Sequence, residues 1–348
     1  MKNTLLAFLI VVGSGLLMSC NEDLAGVPTK PSEDFNDVDV MPFASDSVDV
    51  LIAGAIDAGG DRWKACYWKN DSIRILDEHL SFANDIVVMD SKVIAAGKYD
   101  EKPCLWKDGK RILLDSDKNG EVKAIGVHNG VLYLVGELYE TPTNFRAFVW
   151  TDGKMTFLND SKGYASDIDF EGQDTYISGM DAEKPCFWKN GKKTVLSETF
   201  GHGYGIEVVG NDVFVGGEYR PTNGGYFLSG YWKNGSFQSS GGNDCYIWNI
   251  GVDRGEVFLV GSAALTQQSD VAMVVAGEGK MVLSTPENSM SGATDIAFSL
   301  NNRYILGTCT DLSLTQQKQK VCYWLNNKRH QVTQDRSLGM SICLYPRR

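Results

Sequence analysis

Alternating apolar and polar residues form short runs along most of the chain. A typical run is Val131, Tyr133 and Val135, which ends at Gly136. A period of two places successive side chains on opposite faces of a β-strand, so that one face is buried and the other is not. Six such glycines each follow an isoleucine by 11 residues, in the pairs Ile86 and Gly97, Ile125 and Gly136, Ile168 and Gly179, Ile206 and Gly217, Ile250 and Gly261, and Ile296 and Gly307. The constant interval predicts two paired antiparallel strands at each place.

A second pattern predicts a hairpin after each strand pair. Its clearest copy runs from Lys184 to Leu196, where Cys186, Phe187 and Trp188 suit a buried strand and Asn190-Gly191 suits a two-residue turn. A leucine stands eight residues after the aromatic in Trp68 and Leu76, Trp106 and Leu114, Trp150 and Leu158, and Trp188 and Leu196. Three further copies are degenerate: Val275 and Leu283, Trp232 and Ser240, and Trp324 and Val332. The chain therefore holds seven copies of a four-stranded antiparallel unit, each roughly 40 to 46 residues long, as in propeller blades.

The two ends of the repeat array complement each other. Met340 to Tyr345 reads as a first strand with nothing after it, whereas Val48 to Gly54 reads as a second strand with no first strand before it. Pairing the two leaves no open sheet edge. We therefore predict an all-β fold, a seven-bladed β-propeller over residues 47–348, in which the C-terminal strand closes the first blade.

The N-terminal segment predicts export and lipid anchoring. Residues 1–19 carry Lys2 and an apolar run too short to span a membrane, as signal peptides do. Residues 17–20 resemble the lipobox of bacterial lipoproteins, in which the cysteine, here Cys20, is lipidated. Residues 21–23 resemble a surface-export signal of Bacteroidetes lipoproteins. Residues 20–46 are acidic and contain three prolines, which predicts a flexible tether. The expected location is the outer surface of a bacterial outer membrane, reached through the lipid anchor only.

Charge and cysteine content narrow the partners and cofactors. The net charge of -11 argues against nucleic acid and anionic membrane surfaces as partners. Four of the eight cysteines, Cys66, Cys104, Cys186 and Cys322, occupy equivalent blade positions, too far apart for disulfides. Cys309 and Cys322 form the one pair that merits a test. A calcium-like stretch from Asp167 lacks the twelfth-position carboxylate, and zinc-ligand spacings are missing. We expect a monomer without a metal or cofactor.

Three carboxylates recur at one blade position. Asp85, Asp167 and Asp295 each directly precede the isoleucine of a first strand, near the expected mouth of the central channel. They could bind a cation or act as an acid and base pair. The interpretation we favour is structural, because an aspartate where a loop meets a strand accepts hydrogen bonds from backbone N–H groups.

Candidate ligand-binding residues lie where the repeats differ from one another. The interval between the glycine and the next tryptophan varies most, which indicates variable loops between the second and third strands. Those loops supply Trp63, Tyr139, Phe145, Tyr219, Arg220 and Tyr226. The crossovers between blades supply His202, Tyr204, Tyr246 and Trp248 on the same face. Accessible aromatic side chains can stack on sugars or anchor a protein partner, although some of them could simply pack between blades.

The repeats resemble those of uncharacterised Bacteroidetes lipoproteins and, more distantly, extracellular HAF-type repeats. The likeness rests on Trp106-Lys107-Asp108-Gly109, Trp188-Lys189-Asn190-Gly191 and Trp232-Lys233-Asn234-Gly235, with Gly136, Gly179 and Gly217. Val275 and the pair Asn326-Asn327 depart from the pattern. The resemblance implies a propeller on the outer surface and no activity.

Three functional hypotheses follow. The favoured one is a non-catalytic, surface-exposed binding or scaffold lipoprotein that recognises a glycan or protein through the face bearing the variable loops. The alternative is a propeller carbohydrate hydrolase or lyase that uses carboxylates at the channel mouth. A purely structural envelope component would show neither an aromatic platform nor a carboxylate pair, and would expose an apolar patch instead.

Overall fold

The computed structural model describes residues 48–347, except residues 61, 116, 142, 161, 241–244, 267–268, 278, 284–288 and 313–317. The sequence-predicted signal peptide, Cys20 and the tether of residues 20–46 lie outside the described residues. All regular elements of the described part are β-strands. No helix in this part of the chain is long and apolar enough to cross a membrane.

Twenty-eight strands follow one another along the described part of the chain. The first eleven are β1 (Val48–Asp57), β2 (Trp63–Lys69), β3 (Ser72–Ile75), β4 (Ser81–Met89), β5 (Lys92–Tyr99), β6 (Lys102–Lys107), β7 (Lys110–Leu113), β8 (Gly120–His128), β9 (Val131–Thr141), β10 (Asn144–Thr151) and β11 (Lys154–Phe157). The next eight are β12 (Gly163–Glu171), β13 (Asp174–Asp181), β14 (Lys184–Lys189), β15 (Lys192–Val195), β16 (Gly201–Val209), β17 (Asp212–Tyr219), β18 (Leu228–Lys233) and β19 (Ser236–Ser239). The last nine are β20 (Cys245–Asp253), β21 (Glu256–Thr266), β22 (Ser269–Ala276), β23 (Gly279–Val282), β24 (Ser289–Ser299), β25 (Asn302–Asp311), β26 (Gln319–Leu325), β27 (Lys328–Gln331) and β28 (Ser337–Pro346).

These strands form seven four-stranded antiparallel sheets, the blades of a seven-bladed propeller. Six blades use four consecutive strands, whereas the first has the order β28-β1-β2-β3. The closing strand β28 pairs with β1 from Val48 opposite Pro346 to Ile56 opposite Ser337. The predicted fold and the predicted closure by the C-terminal strand are both confirmed.

The first strand of each blade is its innermost strand, and the seven first strands contact one another in a ring around the central channel. The hydrophobic core lies between neighbouring blades. Trp106, for example, is buried in one cluster with Leu51 of the preceding blade. Trp68, Trp106, Trp188, Trp232 and Trp324 are the largest fully buried side chains, which explains their recurrence in the third strands.

A β-bulge in every innermost strand accounts for the repeated glycine. In β4 the pairing with β5 shifts register between Ala83 and Asp85, and the same shift occurs in all seven blades. The bulge pushes the carbonyl of Phe82 against Gly97, so that a Cβ atom at Gly97 would overlap the oxygen. The corresponding glycines of the other six blades face the same overlap. Only glycine allows the two backbones to approach this closely.

The Trp-Lys-Asn-Gly sequence closes the turn between the third and fourth strands. Asn190 and Gly191 both have positive φ angles, 50° and 79°, as the predicted hairpin turn requires. The Asn190 side chain accepts a hydrogen bond from the N–H of Thr175 (2.9 Å) and donates one to Asp174 (2.6 Å). Lys189 forms an ion pair with the other oxygen of Asp174, at 2.7 Å. Trp188 therefore packs in the core, Lys189 and Asn190 bind Asp174, and Gly191 supplies the positive φ angle of the turn.

The predicted boundaries of loops and crossovers were wrong at several candidate residues. Strand pairing continues across the bulge, so the innermost strands start earlier than the isoleucine pattern indicated. His202 and Tyr204 consequently lie in β16, and Tyr246 and Trp248 lie in β20. The second and third strands are also longer than predicted and include much of the variable interval between the repeated glycine and the next tryptophan. Four residues that were predicted to lie in loops therefore lie in strands: Trp63 in β2, Tyr139 in β9, Phe145 in β10 and Tyr219 in β17. Only Arg220 and Tyr226 lie in a loop, between β17 and β18.

The described cysteines are free thiols, and most are buried. Cys66, Cys104, Cys186 and Cys322 are completely buried in the third strands, at the equivalent positions predicted from the repeat. Cys309 and Cys322 are not joined by a disulfide in this structure, although they share one core cluster. The thiols therefore act as small apolar core side chains.

Candidate functional site

The innermost strands begin on the face where the second and third strands of each blade connect. Two positions near each start, four and two residues before the repeated isoleucine, place side chains around this end of the channel. We call the group formed there by five blades the mouth cluster. It comprises Lys98, Glu121, Lys123, Glu137, Tyr139, Tyr164, His202, Tyr204, Glu218, Tyr246 and Trp248.

One half of the mouth cluster is a network of ion pairs. Lys123 contacts Glu121 at 2.6 Å and Glu137 at 3.2 Å, and Lys98 lies 3.8 Å from Glu121. The Tyr139 hydroxyl donates a hydrogen bond to Glu137 (3.0 Å). Burial disfavours charge here, but the two lysines hold the pKa of Glu121 below its ordinary value. This half therefore balances two cations with two anions.

The other half is a row of aromatic rings. Tyr164, His202 and Tyr204 stack nearly parallel, with centroids 6.1 Å and 5.6 Å apart. Trp248 lies 5.6 Å beyond Tyr204, and Tyr246 stacks on Trp248 at 6.4 Å. Trp248 is 38% exposed and Tyr246 is 51% exposed. The row thus runs from a partly buried end at Tyr164 to an accessible end at Tyr246.

A hydrogen bond between Tyr164 and His202 fixes the histidine tautomer. The hydroxyl oxygen lies 2.6 Å from Nδ1, and within the described residues the hydroxyl has no other partner. Burial lowers the pKa of His202, which favours the neutral ring. We assign the Tyr164 hydroxyl as the donor, because it is partly buried and Nδ1 is its one hydrogen-bond partner among the described residues; this assignment places the proton of His202 on Nε2. Lys123 lies 5.5 Å from the centre of the Tyr164 ring and joins the two halves of the cluster.

The three recurring aspartates have a different role from the mouth cluster. They lie at the bulges within the innermost strands, not where a loop meets a strand, because those strands start several residues earlier. Asp85 accepts the N–H of Ile86 (2.7 Å) with one oxygen and that of Ile125 in the next blade (2.7 Å) with the other. Asp167 and Asp295 do the same for the pairs Ile168 and Ile206, and Ile296 and Ile342.

These contacts serve backbone groups on the channel side of the innermost strands. Asn249 accepts the remaining N–H, that of Ile250, and donates to Asp295 (2.6 Å), so all seven repeated N–H groups have an acceptor. Burial raises the pKa of Asp85 to about 7 and that of Asp295 to about 6. Both oxygens of each aspartate are thus engaged with backbone N–H groups, and one of the two joins neighbouring blades.

The structure brings four of the ten candidate ligand-binding residues into the aromatic row: His202, Tyr204, Tyr246 and Trp248. Tyr139 belongs to the ionic half, and Phe145 packs against it at 6.3 Å. Arg220 lies over the ring of Phe227, a neighbour of His202. The remaining three lie apart from the row.

Those three residues have other surroundings. Trp63 packs against Phe82 (5.9 Å) and beneath Arg336. Tyr219 packs against Trp232 and Phe237 within its own blade, which is the packing role considered from the sequence. Tyr226 is 66% exposed and has no ring contact in the described part of the chain.

Sequence reasoning missed Glu121, Lys123, Glu137, Tyr164 and Glu218. A signal for them existed in the repeat itself. His202 and Tyr204 stand four and two residues before Ile206, and the same two positions before Ile125 are Glu121 and Lys123. Glu218 directly follows the repeated glycine of its blade, as Glu137 does in another blade. Aligning the blades by position would have found the cluster.

No group of three or more His, Cys, Asp or Glu side chains in the described residues could hold a metal ion. The mouth cluster instead offers hydrogen-bond donors, acceptors and ring faces. This combination suits a neutral polar ligand with at least one flat apolar surface.

No family model and no curated protein matches the chain. Among solved structures, Pyrococcus horikoshii acylaminoacyl peptidase is similar over 83% of this chain and 51% of its own, with 11% identity and a TM-score of 0.50. Dipeptidyl peptidase 4 of Porphyromonas gingivalis is similar over 82% and 50%, with 12% identity and a TM-score of 0.39. The GH43_1 enzyme of Xanthomonas citri, solved with xylose, is similar over 77% and 88%, with 10% identity and a TM-score of 0.37. This chain spans about half the length of either peptidase, and the likeness concerns the fold alone.

Proposed function

We propose that this propeller is a non-catalytic binding protein that recognises a glycan at the mouth cluster. The observation that carries the proposal is the row from Tyr204 to Tyr246, in which two rings are more than one-third exposed. Pyranose rings stack on such faces through their C–H groups, while their hydroxyls need donors and acceptors at the edge. The ionic half of the cluster and Glu218 supply those groups.

A protein ligand fits this surface less well. Protein partners usually anchor on apolar residues surrounded by weakly contributing neighbours. Here charged side chains border the aromatic row directly, because Lys123 lies 5.5 Å from the centre of the Tyr164 ring and pairs with Glu121 and Glu137. Dense polar groups beside ring faces are instead what a polyhydroxylated ligand requires.

The alternative function, hydrolysis of a glycosidic bond, has one observation in its favour. Burial raises the pKa of Glu218, as a general acid requires. Its proposed partner carboxylates are otherwise occupied, because Asp85, Asp167 and Asp295 bind backbone N–H groups and Glu137 is paired with Lys123. We therefore favour binding without turnover and expect no reducing ends to be released from bound glycans.

Anchoring at the outer membrane surface is part of the same proposal. Val48 and Pro346 pair at the end of the first blade that lies opposite the mouth cluster. A lipid at Cys20 would therefore be joined to the face remote from the cluster. The aromatic row would then point away from the membrane, where an external glycan can reach it.

The experiment is a glycan array probed with residues 47–348 and with the Trp248→Ala variant. We expect saturable binding to at least one glycan class and a loss of about tenfold in affinity for the variant. Tyr226→Ala is the matched control, since Tyr226 is an exposed aromatic on the same face but outside the row. An unchanged affinity for Trp248→Ala, or equal losses for both variants, would refute the proposed location.

A further inference from the structure

We infer that the mouth cluster selects glycans that carry an acetamido group, and that His202 and Glu218 read this group together. The inference rests on the proposed function and specifies its ligand. It requires a hydrogen-bond donor, a hydrogen-bond acceptor and an apolar surface close together. His202 supplies the donor, and the acceptor and the apolar surface lie beside it.

The donor is Nε2–H of His202. Because Tyr164 donates to Nδ1 at 2.6 Å, the ring proton is placed on Nε2. No hydrogen bond reaches Nε2 from any residue that the structure describes. The imidazole is held between Tyr164 and Tyr204 by stacking, so its orientation is set before a ligand arrives. A fixed donor without a protein partner is suited to a ligand carbonyl.

The acceptor is Glu218, which pairs directly with His202 across β16 and β17. Directly opposite residues project from the same face of a sheet with Cβ atoms about 5 Å apart. The Tyr204 hydroxyl donates to Oε1 of Glu218 (3.2 Å), which fixes the carboxyl group. Within the described residues Oε2 has no partner. One donor and one acceptor therefore stand side by side with the spacing of adjacent strands.

An apolar surface completes the arrangement. Phe200 meets the His202 ring edge-on at 5.1 Å and is 41% exposed. Phe227 contacts Phe200 at 5.8 Å and lies 6.4 Å from His202. Both rings thus lie beside the His202 ring. A small apolar substituent of the ligand can be covered there.

An acetamido group matches these three features at once. Its carbonyl oxygen accepts from Nε2–H, its N–H donates to Glu218, and its methyl group packs against Phe200. The sugar ring that carries it can stack on the neighbouring end of the aromatic row at Tyr204 and Trp248. A plain hydroxyl at the same position would leave the apolar surface of Phe200 uncovered, and its single oxygen atom would have to reach both the donor and the acceptor, at a cost in affinity.

The test compares chitotetraose with cellotetraose by isothermal titration calorimetry. The two sugars share the same linkage and length and differ only in the acetamido group. We expect chitotetraose to bind at least about tenfold more tightly. Equal affinities would overturn the inference and leave the proposed function intact. Failure of both sugars, with no glycan bound on the array, would overturn the proposed function and this inference with it.

Variants test the roles of the two residues. His202→Phe keeps the ring stacking but removes the donor, so the preference for chitotetraose over cellotetraose should fall to about twofold or less. Glu218→Gln keeps an acceptor and the side-chain shape, and should retain most of the preference. Thermal unfolding of each variant checks that it is folded. A full preference in folded His202→Phe would overturn the assignment. Equal competition by an N-acetylated peptide would also overturn it, in favour of a peptide ligand.

Discussion

At the scale of single residues, a few side chains accept the hydrogen bonds of all the backbone N–H groups that face the channel at the repeated isoleucines. Asp85 accepts the N–H of Ile86 in its own blade and that of Ile125 in the next blade, where the side chain of Ala124 offers no acceptor. Asp167 likewise serves the next blade, where the equivalent residue is Gly205. A Cβ atom at Gly205 would overlap the Asn249 side chain. The residues that precede the isoleucines differ in type, but together they provide an acceptor for each of the seven isoleucine N–H groups.

The sequence predicted part of this scheme. Recurrence of aspartate at one position indicated a backbone-binding role, because a repeated residue is more often structural than catalytic. It did not indicate that one carboxylate serves two blades. That sharing depends on the distance between strands separated by about 40 residues, which a local pattern does not contain.

Glu207 offers a test of burial at this scale. It follows Ile206 in β16, makes no hydrogen bond within the described residues, and has a pKa raised to about 8 by burial and by nearby Asp169. The ordinary value is about 4.3, so the folded state binds the proton more tightly than the unfolded state. This carboxyl group therefore stabilises the fold less as the pH rises from about 4 to about 8.

The Glu207→Gln variant has no titratable group at this position, so it should not lose stability from this site as the pH rises. We expect the variant and the wild type to have similar free energies of unfolding near pH 4, and the variant to be increasingly more stable towards pH 8. Urea unfolding at several pH values measures the difference. Glu171→Gln, at an exposed position of β12, is the control for the loss of a surface carboxylate. A constant difference for Glu207→Gln across the pH range would contradict the explanation.

At the scale of elements, the repeat sequence describes a hairpin and a bulge. The Asn-Gly turn and the period-two strands could be predicted because their signals are local. The bulge could not, since its extra residue comes before the isoleucine and therefore lies outside the isoleucine-to-glycine interval of 11. For that reason the candidate residues at the starts of these strands were assigned to crossovers. The same omission concealed Glu121 and Tyr164.

The repeated glycine gives the element-scale prediction. Gly97→Ala should destabilise the protein by about 2–3 kcal/mol, because the added methyl group overlaps the Phe82 carbonyl and the strands must separate. Gly292→Ala is a matched control within a strand, where nothing lies within 4 Å of the added Cβ atom, and it should be neutral or slightly stabilising. Urea unfolding compares the two. Equal effects of both substitutions would exclude the close approach as the reason for the repeat.

At the scale of the whole molecule, ring closure was predictable from the sequence because the unmatched strands at the two ends of the array complement each other. The mouth cluster was predictable only in part. The face and four of the aromatic residues followed from variation among repeats. Their alignment into one row depends on the angular order of the blades, which brings Tyr164 beside His202 and Tyr204 beside Trp248.

Removal of residues 337–348 tests closure. The deletion exposes the edge of β1 and removes Ile342, whose N–H is bound by Asp295. We expect a lower unfolding temperature and self-association through the open edge, measured by circular dichroism and size-exclusion chromatography. Removing only residues 347–348 takes away the exposed contact between Arg347 and Asp49 and should change little. Cooperative unfolding of the longer deletion at the wild-type temperature would contradict the role of β28.

The most direct test of glycan recognition at the mouth cluster is hydrogen–deuterium exchange with and without the best glycan from the array. Peptides covering residues 200–205 and 245–249 should be protected on binding. A peptide covering residues 63–69 lies in the first blade, outside the five blades that form the cluster, and should be unaffected. Protection confined to the outer fourth strands or to the face that carries Val48 would contradict the account.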